Sequence, residues 1–119
     1  MKVYIGIRDK AGSCVLVRDT EIDYVRTLNH VVRHSPSGME WGYSGSGPAD
    51  LALSILTDAL GSVEKADPFY QAFKWRVIAR LDRQGFELPL AAVLDWVQAV
   101  RLSQVGPPGP PAECSPQLN

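Results

Sequence analysis

The sequence predicts an α+β fold: an antiparallel sheet of about four short strands in the first half, and three helices packed on one of its faces in the second half. Three observations carry this reading. Apolar residues alternate with a period of two near the N-terminus, they recur at spacings of three and four after residue 48, and Gly/Pro turn signals separate the runs. The chain has 119 residues, 45% hydrophobic and 21% charged, enough to bury a core without disulfide or metal.

Val3, Ile5 and Ile7 alternate with Tyr4, Gly6 and Arg8, a strand pattern. Asp9-Lys10-Ala11-Gly12 is a turn signal, and Cys14 to Val17 is a second apolar run, so the two form a hairpin. Cys14 is expected as a buried free thiol. Residues 20–29 read two ways. Ile22, Val25 and Leu28 share a helical face, and Tyr24 to Val32 also suits extended chain. His34-Ser35-Pro36-Ser37-Gly38 is a turn, with proline fixing φ and glycine supplying positive φ. Residues 29–33 and 39–43 are expected to form a second hairpin around it, with Met39, Trp41 and Tyr43 on one face.

The first helix starts near Pro48 with Ser46 as N-cap, and Gly61 stands at its C′ position. Leu51, Ala52, Ile55, Leu56, Ala59 and Leu60 form its apolar face, and Asp50, Ser54, Thr57 and Asp58 its polar one. Asp67-Pro68 reads as a cap followed by a first helical residue. From there Tyr70, Phe73, Val77 and Leu81 form a stripe that Trp75 and Ile78 broaden, and Gly85 closes the helix. A third helix runs from Pro89 to about Gln104 through Leu90, Val93, Leu94, Val97 and Val100. Trp41, Trp75 and Trp96 are expected in the core, and any of them left exposed would instead mark a partner surface, two cases that sequence does not separate. Residues 1–104 form the domain. Residues 105–119 are a disordered tail rich in Pro and Gly.

Twelve Lys and Arg face thirteen Asp and Glu, a net charge of -1. That lacks the basic excess of a general nucleic-acid binder. No run approaches the roughly 20 apolar residues of a membrane span, and the N-terminus has no signal-peptide pattern. Two cysteines, Cys14 and Cys114, suit a reducing compartment. A cytoplasmic location is expected, with no membrane, no cofactor and no metal.

Four constellations carry candidate chemistry. Ser44-Gly45-Ser46-Gly47 before a helix suggests an anion site of backbone N–H groups. A P-loop, however, needs a Lys-Ser/Thr pair where Pro48-Ala49 stand, and Asp50 adds a carboxylate to the first turn. A hydrolase set would draw on His34, Ser35, Ser37, Glu40, Tyr43, Ser44, Ser46 and Asp50. The nucleophile-elbow spacing is broken, because Gly42-Tyr43-Ser44-Gly45-Ser46 misplaces the second glycine. His30 and His34 are four apart but no third ligand supports them, so no metal site is assigned. Last, Arg76, Arg80 and Arg83 fall at i, i+4 and i+7 on the second helix with Lys74 beside them, a row that suits phosphate or the acidic face of a protein partner and that is ordinarily a solvated face.

The stretch His34 to Leu56, HSPSGMEWGYSGSGPADLALSIL, resembles a family of small bacterial and phage proteins classed as a domain of unknown function. The family pattern is close to H-S-P-x-G-x-E-W-G-Y-x-G-S-G-P-A-x-L-A-L-x-I-L. A later block, Tyr70 to Leu81, resembles its Y-Q-x-F-K-W-x-V-x-A-x-L segment, and Leu90 to Val97 its tryptophan-containing helix. Ser44 and Pro89 depart from it, where the family more often has Gly and Thr. The resemblance covers roughly residues 26–98. It implies a fold and an association with phages, plasmids and integrated elements, and no established activity.

The leading expectation is a non-enzymatic interaction protein of a phage or mobile element, an inhibitor of host defence, anti-CRISPR-like, that occludes a protein surface. Its partner-binding residues are Lys74, Arg76, Arg80 and Arg83. The competing readings are a small anion- or nucleotide-binding domain using Ser44, Gly45, Ser46 and Gly47, and a minor hydrolase built on His34 and a loop serine. No catalytic residue is assigned under the leading reading.

Overall fold

The computed structural model describes residues 1–105. Strands β1 (Lys2–Asp9) and β2 (Gly12–Asp19) form the expected hairpin, pairing Lys2 with Asp19 through to Asp9 with Gly12. Strand β3 (Tyr24–Thr27) pairs antiparallel with β2, which settles the ambiguous segment as extended. Helix α1 (Ser46–Leu60), helix α2 (Val63–Ala66) and helix α3 (Tyr70–Arg76) follow, then a 3-10 turn at Ile78–Arg80. Strand β4 (Gly85–Pro89) returns to pair with β1, and helix α4 (Leu90–Val105) ends the described chain. The four-stranded antiparallel sheet has the order β3-β2-β1-β4, and the fold is α+β as expected. The expected tail lies outside the described residues from Gly106 on.

Two of the four strands are not where the spacing put them. Residues 29–33 and 39–43 form no hairpin, and residues 28–45 carry no regular structure between β3 and α1. Gly85, read as a helix stop, instead opens β4 opposite Ile7. The turn at 35–38 is present: the Gly38 N–H donates to the Ser35 carbonyl and Gly38 has φ +142°.

The core lies on one face of the sheet. Tyr4, Gly6, Val15, Val17 and Phe86 face the helices, and α1 is buried along its length from Gly47 to Leu56. Leu51, Leu53, Ile55 and Leu56 are fully enclosed, with Phe73, Ile78, Val93 and Val97 around them. A stretch buried all round has no solvent face, which corrects the expected polar face: Asp50 and Ser54 are buried, and Thr57 and Asp58 are half-buried. Gly61 closes α1 in the left-handed region, φ +96°, its N–H donating to the Thr57 carbonyl, as the C′ reading required. Ser46 is not the cap. It is the first helical residue after Gly45, which makes no side-chain cap bond.

The second expected helix is broken. Asp67 ends α2 rather than capping α3. Beyond Arg76 the helix gives way: Val77 leaves helical geometry at φ -121°, and the 3-10 turn follows. The loop then bonds to this segment, the Gly42 N–H donating to Ile78 O at 3.0 Å and Trp41 Nε1 to Asp82 O at 3.0 Å. Among the described residues no helix is long and apolar enough to cross a membrane.

Candidate functional site

Residues 28–45 run irregularly over buried ground, so their backbone N–H groups need partners from elsewhere. Helix α1 supplies them. The Asp50 carboxylate accepts from the N–H groups of His34 (2.8 Å) and Ser35 (3.0 Å), and more loosely from that of Arg33 (3.2 Å). His30 Nε2 meets the same carboxylate at 2.9 Å. Ser54 Oγ accepts from the Val31 N–H at 2.8 Å. Burial pushes the Asp50 carboxyl up, but His30 and the three N–H donors outweigh it and hold it below the ordinary carboxylate range. Asp50 is thus the anchor on which the loop is folded.

The loop's far end is held to the sheet and to the segment after α3. Arg8 grips Glu40 with both terminal nitrogens, at 2.6 and 3.3 Å, and Ser13 Oγ donates to Glu40 at 2.9 Å. Trp41 is fully buried, edge-on to Phe86 with centroids 5.1 Å apart and under the Arg8 guanidinium at 4.5 Å. Gly42 has φ +86°, and a Cβ there would fall 2.3 Å from Arg83 Cγ, so only glycine lets the chain pass this close. Tyr43 comes out beside Arg83, whose guanidinium lies 5.3 Å from the ring centre.

This geometry places an aromatic and cationic surface along residues 74–83. Trp75 is 59% exposed, against the expectation that it enters the core. Phe73 and Val77, at i and i+4, point α3 inward; Trp75, two residues from each, falls on the opposite side. Lys74 Nζ lies 4.7 Å from the Trp75 ring centre. Arg76 ends α3, Arg80 ends the 3-10 turn and Arg83 follows in the next loop, all exposed. The four cations therefore line successive short segments, not one continuous helix face. Among the described residues none of them is in an ion pair, whereas Arg8, Arg26 and Arg33 are held by Glu40, Asp58 and Asp67. Asp82 is the one carboxylate between residues 74 and 83. Tyr43, 40% exposed, adds a second aromatic.

The hydrolase candidates are dispersed among structural bonds. His34 Nε2 lies 2.8 Å from Tyr70 Oη and its ring stacks on Tyr70. Arg33, paired with Asp67, covers the same tyrosine. Ser35 is buried with its N–H on Asp50. Ser13, which sequence reasoning did not single out, lines an open cleft of about 320 Å³ with Gly12, Ser37, Gly38, Met39 and Glu40. The carboxylate it donates to is held below the ordinary range by Arg8, which leaves Glu40 a weak base. At the 44–47 loop Pro48 brings no N–H, the Ala49 N–H is taken by Gly45 O, and Gly47 packs against the stem of Glu40. Among the described residues no group of three or more His, Cys, Asp or Glu is placed to hold a metal.

A family model described as a family of unknown function, DUF6166, matches residues 4–99, from within β1 to within α4. The chain belongs to the DUF6166 family. The match takes in the sheet, the anchored loop, α1 and the 74–83 surface together. No match was found among curated proteins or solved structures.

Proposed function

We propose that this DUF6166 protein is a non-enzymatic interaction protein that binds an acidic protein surface through Trp75, Tyr43 and the cations Lys74, Arg76, Arg80 and Arg83. The observation that carries the reading is Trp75, 59% exposed on a side of α3 flanked by cations that, among the described residues, are in no ion pair. Exposing a tryptophan forgoes a large hydrophobic gain, and Trp, Tyr and Arg are the residues that dominate protein interfaces. Lys74 and Arg83 sit near the two rings, so each aromatic would meet a partner with a cation beside it. Arginine's planar fork suits bidentate capture of carboxylates. The resemblance to phage- and plasmid-associated proteins extends this reading to antagonism of host defence, by covering a surface of a defence effector such as a CRISPR complex.

The test is affinity capture from a host lysate with the wild type and with the double variant Trp75→Ala, Arg80→Glu. Both side chains are exposed, so the variant is expected to melt at the wild-type temperature and lose the stoichiometric partner. Retention of the partner by a folded variant rules this surface out. Thermal stabilisation by nucleotides, with no protein captured, would instead favour the anion-binding reading of residues 44–47.

A further inference from the structure

We propose that the helix-free face of the sheet seats a second copy of this chain, face to face about a two-fold axis. The register gives that face three rows. They run Val25-Arg18-Val3-Pro89, Thr27-Leu16-Ile5-Glu87 and Cys14-Ile7-Gly85 across β3, β2, β1 and β4. Val3, Ile5, Ile7, Cys14, Leu16 and Val25 make it apolar, and Ile7 and Val25 are 41% and 48% exposed. Helices and the anchored loop pack on the opposite face, against Tyr4, Val15 and Val17. A half-solvated antiparallel strand ordinarily alternates apolar with polar, while near-continuous apolar runs mark strands covered on both sides. Val3-Tyr4-Ile5-Gly6-Ile7 and Cys14-Val15-Leu16-Val17 are runs of the second kind, yet among the described residues one side has no cover. The face is thus built to be covered.

The charges point to a second copy as the cover. Arg18 and Glu87 are the charged residues in these rows, and both are exposed. They stand one strand to either side of β1 and one row apart, so their midpoint falls on β1 between Val3 and Ile5. A two-fold axis through that point, lying in the interface and perpendicular to the line joining them, sets Arg18 of each copy on Glu87 of the other. Two reciprocal ion pairs then flank a centre of Val3, Ile5 and Leu16, as an isologous contact requires. At strand spacings of about 4.8 Å and a rise of about 3.4 Å, the strands of the two copies cross at roughly 70°, near the orthogonal class of sheet packing. Arg18 now reaches Asp23 at 3.9 Å, a long contact exposed to water. The footprint, about 19 by 20 Å on each copy, is smaller than that of a standard specific interface, so the dimer is weak, with a dissociation constant of about micromolar or above.

Sedimentation of the full chain from about 10 µM to 1 mM at low salt tests this. A monomer–dimer equilibrium is expected. Leu16→Glu abolishes it, and Arg18→Glu or Glu87→Arg alone weakens it by roughly tenfold or more, because each sets like charges together twice. The swapped chain, Arg18→Glu with Glu87→Arg, restores it. In the single chain Arg18 and Glu87 are exposed and Leu16 is half-buried, and unchanged melting confirms that each variant is folded. A monomer at every concentration, open-ended aggregation, or a dimer indifferent to the charge variants overturns the proposal. So does a Cys114→Ser monomer whose Cys14 is shielded from a thiol reagent, which would give the face to the chain's own C-terminal segment.

Discussion

Asp50 shows how one residue anchors the near end of an irregular loop. Its carboxylate gathers N–H groups from Arg33, His34 and Ser35 and the ring of His30, on a stretch of helix with no solvent face. Asp50→Asn puts a donor where acceptors are needed and leaves buried N–H groups unmet, at a cost of about 2–4 kcal/mol. The acid dependence carries a sign. Asp50 is held below its ordinary value in the fold, so the folded chain binds fewer protons than the unfolded one as pH falls toward about 4. Its contribution is complete above that pH and is lost as pH drops through the folded value. Urea midpoints from about pH 3 to 7 should fall on the acid side, and less steeply for Asp50→Asn. Some slope remains, because Glu40 and Asp58 are also held low, by Arg8 and Arg26. An unchanged acid limb in the variant would show that Asp50 is not the anchor. The tryptophans give a second contrast. Trp41→Ala should cost about 3–5 kcal/mol by emptying the site between Phe86 and Arg8. Trp75→Ala should cost no more than about 0.5 kcal/mol. Chemical denaturation of the two variants checks both, and equal losses would mean that Trp75 packs.

At the scale of the element, β1 shows what periodicity can and cannot convey. The alternation Val3, Ile5, Ile7 against Tyr4, Gly6, Arg8 marks a strand correctly, but the face it favours for burial is the open one. Tyr4 and Gly6 face the helices because each has a partner the pattern cannot show. Tyr4 Oη donates to Asp58 at 2.7 Å, and Gly6 lies under the Phe86 ring. The same gap explains the lost hairpin. Met39, Trp41 and Tyr43 alternate as a strand should, yet their segment has no strand beside it and is tied by side chains instead. The 74–83 row was legible as charge but not as geometry, since the chain leaves the helix at Val77 and the segment beyond it is held by residues 41 and 42 instead. Trp75 was legible in principle from its offset to Phe73 and Val77. Helix α1, its glycine stop and the start of α4 were legible because their signals are local. Gly6→Ala tests the reading of β1. A Cβ there would lie 2.2 Å from Phe86 Cε2, so the ring must leave its edge contact with Trp41. The expected loss is about 1–3 kcal/mol, with a change in near-ultraviolet dichroism from Trp41. A variant as stable as wild type would show that the Phe86 site has room to spare.

For the molecule as a whole, the decisive contact joins the two ends of the described chain. Strand β4 pairs with β1 across everything between them, and α4 leaves it directly to place Val93 and Val97 in the core. Without β4 and α4, β1 becomes an edge strand from Val3 to Ile7, Phe86 no longer covers Gly6, and α1 loses part of its enclosure. Contacts of such long sequence separation repay the entropy of closing the chain only when the last element arrives. A chain cut after Gln84 should therefore show no cooperative thermal transition, although it keeps three strands and the residues that anchor the loop. A chain cut after Val105 should melt at nearly the full-length temperature, because residues 106–119 are rich in Pro and Gly and offer few apolar side chains to bury. Calorimetry on the two truncations separates the cases. A cooperative transition in the shorter chain would make β4 and α4 an accessory layer, and a sharp drop in the longer one would mean that its missing segment docks on the domain.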